Sequence, residues 1–176
     1  MLADRESVRL AQRLITTACR RQRIPKGQLT AHSDRGRVQT AKDWHALSED
    51  LGIVRSLSRP RVSHDNPHSE SLFKTTKYAP TYPGRFENFA HAERWCQTFF
   101  HHYNHAHRHS GIAYLTPTIV HHGTAPTILA ERARTMRIAY QQHPERFVNG
   151  TPILSALPTE VCINRINEQR VVLNTQ

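Results

Sequence analysis

Cysteine is scarce in this sequence of 176 residues: only Cys19, Cys96 and Cys162 occur, widely spaced and without a C-x-x-C pair. Such a set argues against a disulfide framework and against a structural zinc site built on thiolates. A reducing, cytosolic setting is the expectation. Long apolar runs are also missing, and none approaches the ~20 residues that a membrane-spanning helix needs. The N-terminal stretch Met1 to Glu6 holds Asp4, Arg5 and Glu6 and has no apolar core, so no secretory leader is expected. Acidic residues are few. The 14 Asp and Glu stand against 24 Lys and Arg, for a formal charge of +10 and a pI of about 10.3. That imbalance points to a polyanionic partner, with nucleic acid first among them. Hydrophobic residues make up 38% of the chain, enough for a folded protein of about one domain.

What is present is a run of alternating helix and strand signals. Val8, Leu10, Ala11, Leu14, Ile15, Ala18 and Cys19 recur at spacings of three and four, which predicts a helix over Arg5–Arg23, stopped by Pro25 and Gly27. Gln28–Ser33 reads as a strand ending in the turn Asp34-Arg35-Gly36. A helix over Thr40–Leu51 and a strand over Ile53–Leu57 follow. Asn66 suits a helix cap and Pro67 a first helical position, so the next helix runs to about Tyr78. Further helices are expected over Phe89–His105, from Thr116-Pro117 onward, and over Thr127–Gln142. Gly111 marks a turn, and Glu160–Ile163 is a last strand candidate. The order is that of an α/β fold.

Two carboxylates stand out by position. Asp34 lies at the C-terminal end of the first strand, the edge where open α/β sheets bind ligands. Glu70 lies near the start of the Pro67 helix, and 35 residues separate the two. Together they suit Mg²⁺, which takes few carboxylates and completes its shell with water and phosphate oxygens. Glu70, Lys74 and Lys77 are spaced to share one helix face. On their own, the same residues also fit a surface turn and a solvated, ion-paired helix face.

The ordered set His32-Ser33-Asp34-Arg35-Gly36, Ser58-Arg59-Pro60 and Asp65-Asn66-Pro67-His68-Ser69-Glu70, continuing to Tyr78, resembles the second half of an insertion-sequence transposase of the retroviral-integrase-like DDE type. Tyr103-Asn104, Arg108-His109-Ser110-Gly111 and Thr116-Pro117 match the downstream block of that family. The resemblance runs from about Glu6 to Gly123, with a weaker echo to Asn164. It implies a ribonuclease-H-like fold and DNA strand transfer at three carboxylates holding two Mg²⁺ or Mn²⁺ ions. Asp34 matches the second carboxylate and Glu70 the third. Lys74 and Lys77 match positions that face DNA, and Arg59, Asn66, Asn104, Arg108 and His109 are further DNA-binding candidates by the same resemblance. The implied division is a partial integrase catalytic core over residues 1–123 and a helical C-terminal extension and tail over 124–176.

The family's first catalytic Asp sits on a strand upstream of the first helix. Only four residues precede the Arg5–Arg23 helix here. The expected fold is therefore a partial ribonuclease-H-like α/β core lacking its first three strands, with an incomplete triad and a chain inactive by itself. The expected partners are DNA, both transposon ends and target, and a second copy or a full-length transposase. No membrane is expected, and the location is cytoplasmic, on the nucleoid when DNA is bound. The competing reading is a non-enzymatic DNA-binding remnant or inhibitor. A zinc site at His101, His105 and His109 is a weaker possibility, since Gly111 follows closely and no H-E-x-x-H occurs.

Overall fold

The computed structural model describes residues 2–60, 62 and 65–163. They pack as two units, one within Met1–Arg85 and one over Phe86–Val161.

The first unit is a β-α-β core with a helix on either side in sequence. Helix α1 spans Val8–Gln22, strand β1 Thr30–Ser33, helix α2 Lys42–Asp50, strand β2 Val54–Leu57 and helix α3 Pro67–Lys77. These are the elements read from the sequence, trimmed at their ends. The strands are parallel and paired from Thr30 with Val54 to Ser33 with Leu57. Parallel pairing requires a crossover, and α2 supplies it. Both strands thus end at one sheet edge, where Asp34 and Ser58 follow. At the opposite edge Gly27 N–H donates to Gly52 O at 3.0 Å. A Cβ on Gly52 would lie 2.8 Å from Gly27 N, and φ is +65° there, so glycine is required on both counts.

Helix α1 packs against α2, tied by Gln12 Nε2 donating to Asp43 O at 2.9 Å. The apolar core of this unit is small: among its described residues only Val38 and Ile53 are buried hydrophobics. Ser48, Ser58 and Asp65 are buried with them, so part of the interior is polar and must be hydrogen-bonded.

The second unit is helical. It contains α4 (Phe89–His105), α5 (Pro117–His121) and α6 (Ala125–Gln142), with short 3₁₀ turns at Ser110–Ile112 and Pro144–Arg146. Asn88 caps α4 by accepting from His91 N–H, and Thr116 caps α5 by accepting from Ile119 N–H. Its buried side chains are Ala113, Leu115, Thr116 and Ala125, with Leu115 wholly enclosed.

Two expectations need correction, and one discounted alternative can be placed. Glu160–Ile163 is not a strand; no partner strand lies beside it among the described residues. Asn66 occupies the cap position of α3, yet its side chain makes no capping bond, and Pro67 alone marks the helix start. His101, His105 and His109 do not form a metal site, because no group of three or more potential ligands occurs among the described residues. The His101 and His105 rings lie one turn apart, tilted by 37°, with centroids 4.6 Å apart. His109 lies beyond the end of α4, where its Nδ1 accepts from Gly111 N–H at 3.0 Å.

Candidate functional site

The C-terminal edge of the β1–β2 pair opens into a cleft of about 520 Å³. Its wall includes Asp34, Arg35, Arg59, Asn66 and Glu70. Asp34 comes off β1, Ser58 and Arg59 come off β2, and Asn66 and Glu70 belong to the start of α3. The two carboxylates separated by 35 residues in sequence therefore face one space.

Each wall is held by a separate set of bonds. Asp34 Oδ1 accepts from Gly36 N–H at 3.0 Å, which closes an Asx turn and fixes the carboxylate at the strand end. A Cβ on Gly36 would come within 3.0 Å of that oxygen and 2.5 Å of Gln39 Oε1, so no larger residue fits without displacing them. Arg35 Nε donates to Ser58 O at 2.9 Å and joins the two strand ends. Arg59 donates from both its backbone N–H and its Nε to Asp65 Oδ2, and from Nη2 to Asp65 Oδ1, at 2.8–2.9 Å. This fork ties Arg59, just past β2, to the residue before the α3 cap. It also holds the Asp65 carboxyl well below the usual carboxylate range, chiefly through the side-chain bonds from Arg59 and next through the Arg59 backbone N–H.

His32 completes the bracing from β1. Its Nε2 lies 2.7 Å from Asp65 O, and a carbonyl only accepts, so Nε2 carries the proton. In the neutral ring Nδ1 then accepts from Ser56 Oγ at 2.8 Å. One side chain on β1 thus ties β2 and the entry to α3 together. Glu70 follows within the first turn of α3 and Lys74 and Lys77 lie in its last, where their charges complement the helix ends. Both lysines are exposed, and neither lines the cleft.

Of the other residues singled out from the sequence, Asn104, Arg108 and His109 belong to the second unit. Asn104 is exposed on α4, and Arg108 Nη1 donates to Tyr114 O at 3.5 Å. Arg59, expected to meet DNA, is bound to Asp65, although 65% of its side chain is still exposed. The sequence reading missed Asp65 and the linking role of His32. Asp65 sits next to a helix start, where an acidic residue is ordinarily read as surface decoration. Its burial depends on Arg59 and His32 being folded around it, and no local pattern announces that.

The cleft fits a divalent cation in part. Two carboxylates, with substrate phosphate and water, suffice for one Mg²⁺. A three-carboxylate, two-ion site is not assembled among the described residues.

Comparison with known proteins places part of the chain beside an integrase core. Residues 51–117 match the family model described as integrase core domain, a segment that contains Glu70 and the DNA-facing candidates from Arg59 to His109 but not Asp34. The chain is also similar to an uncharacterized 31 kDa protein of insertion element IS600 from Shigella sonnei, 32% identical over 120 residues. The aligned region is 66% of this chain and 43% of that protein, so the chain spans less than half the length of its relative. No solved structure matches it significantly. Residues 51–117 thus resemble an integrase core domain, and the chain is similar to an insertion-element protein.

Proposed function

We propose that this chain supplies the Asp34 and Glu70 part of a DDE strand-transfer site, and that the 176-residue chain by itself binds DNA without joining strands. The observation that carries the reading is the shared cleft, in which Asp34 and Glu70 line one wall system at the C-terminal end of two parallel strands. The integrase core match and the IS600 relative support DNA as the substrate class. In this reading residues 1–123 are a partial ribonuclease-H-like core, with 124–176 as its extension, and the partners are transposon-end and target DNA.

Asp34 and Glu70 would hold Mg²⁺ or Mn²⁺. When bound, such an ion supplies Lewis-acid stabilisation of the charge that develops at phosphorus. The Gly36 N–H orients the exposed Asp34 carboxylate at the strand end. The Arg59–Asp65 fork keeps the start of α3, and with it Glu70, at the cleft wall. Lys74 and Lys77 on α3 would meet backbone phosphates, as would Asn66 and the free flank of Arg59. In the second unit Asn104, Arg108 and His109 would add further contacts. The full family site uses three carboxylates, and this sequence offers two in the matching positions, which is why binding without joining is the expected behaviour.

The test is a mobility shift and strand-joining assay with a recessed end oligonucleotide in Mn²⁺. A shift that weakens as salt rises, with no joined product, is expected, and Glu70→Gln should leave the shift within about twofold. A wild-type chain that fails to shift DNA would overturn the reading. Joined product that disappears in Glu70→Gln would replace it with a complete enzyme.

A further inference from the structure

Helix α1 carries a feature that the cleft does not use. Among its 15 residues are Arg9, Arg13, Arg20 and Arg21 and no acidic residue. At ~100° per residue, Arg9, Arg13 and Arg20 fall within a sector of about 40°. All three are exposed, and none makes an ion pair among the described residues. The sector lies about 110° round the helix from the half-buried row of Val8, Gln12, Ile15 and Cys19. That row includes Gln12, which is bonded to α2. The three arginines are exposed and lie to one side of that bonded residue. Four cations on one short helix repel one another, and no ion pair among the described residues offsets this; Arg20 and Arg21 lie in the last turn and complement the helix end, whereas Arg9 and Arg13 have no such role.

We infer that this arginine row is a second DNA-binding surface, a track for the phosphate backbone of duplex DNA that is separate from the candidate catalytic cleft. It rests on the proposal that the chain acts on DNA. Arg9 to Arg20 spans about 16 Å of helix axis, and duplex DNA presents one charge per ~1.7 Å, so each guanidinium finds phosphates in reach without a special register. Arginine suits this role because its planar fork bonds phosphate oxygens in pairs and stays charged at any working pH. No residue of α1 lines the cleft, so the row acts through affinity and placement rather than through the reacting phosphate.

The experiment measures binding of the full chain to a short duplex of mixed sequence by fluorescence anisotropy, over about 50–200 mM salt. Three variants are compared with the wild type: the triple Arg9→Gln/Arg13→Gln/Arg20→Gln, the corresponding triple to Lys, and Lys74→Gln/Lys77→Gln. With ~0.9 of slope per phosphate neutralised, the Gln triple should flatten the plot of log K against log salt by about 2–3. The Lys triple should keep the wild-type slope. A Gln triple with the wild-type slope, while the Lys74/Lys77 pair loses slope, overturns the α1 track and leaves the cleft reading standing. Loss of binding in both α1 triples marks a packing role for these arginines and also overturns it. A wild type without salt-dependent binding removes the track and the DNA reading together.

Discussion

Arg23 shows how a single side chain can be at odds with its backbone. It closes α1 in the left-handed region, at φ 51° and ψ 41°, where its N–H reaches the Arg20 and Cys19 carbonyls. Only glycine takes that conformation without cost from its Cβ. Arg23→Gly should therefore raise stability by about 1 kcal/mol, read as a higher urea midpoint with an unchanged slope. An unchanged or lower midpoint would show that the arginine side chain contributes something its exposed position does not suggest. Asp65 is the opposite case, a charge that its surroundings favour. Its carboxyl is held below its ordinary value of 3.8, so the folded state keeps it ionised where the unfolded chain takes up a proton. The resulting stability is fully present above about pH 4 and drains away as the pH falls below that. Asp65→Asn should melt lower than the wild type at neutral pH and lose less between about pH 4 and pH 2. A variant with the same acid slope as the wild type would show that other carboxylates set the acid limit.

At the scale of the element, the turn between α4 and α5 is where expectation and structure part most usefully. Gly111 marks a turn in the sequence, and the chain does turn there, through the 3₁₀ segment Ser110–Ile112. The left-handed residues, however, are Ala113 and Tyr114, at φ 56° and 54°. Their strain is about 1–2 kcal/mol each. Two arginines hold the strained carbonyls: Arg132 donates to Ala113 O at 2.8 Å and to Tyr114 O at 3.1 Å, and Arg108 adds a longer bond to Tyr114 O. The arrangement drives Leu115 inward to zero exposure and brings His109 N–H to Leu115 O at 3.1 Å. Leu115→Ala should accordingly cost about 2–5 kcal/mol in urea unfolding followed by helix signal. A loss below 1 kcal/mol would mean that this turn is not the centre of its unit. The helices themselves were legible because apolar residues at spacings of three and four leave a mark along the chain, as from Phe89 to Tyr103 in α4. The end residues were less so, since caps such as Asn66 can stand in position and make no bond.

For the whole molecule, the charge of +10 remains the broadest signal, and the integrase core match over residues 51–117 gives it a chemical context. That match crosses the division at Arg85 and Phe86, so sequence kinship and packing unit are different partitions of this chain. The described helices do not include one long and apolar enough to cross a membrane. The sequence by itself determined the order of the elements, the sign of the charge, and the motifs bearing Asp34 and Glu70, because periodicity, composition and spacing are properties of the chain read locally. Only the tertiary structure decided that β1 pairs in parallel with β2, and that Asp34 and Glu70 open onto one cleft. It also decided that Arg59 spends its fork on a buried Asp65, and that His32 donates to the Asp65 carbonyl. Those outcomes depend on which groups lose water together. Desolvation obliges a buried carboxylate to find its donors wherever folding brings them, and no spacing along the chain records that encounter.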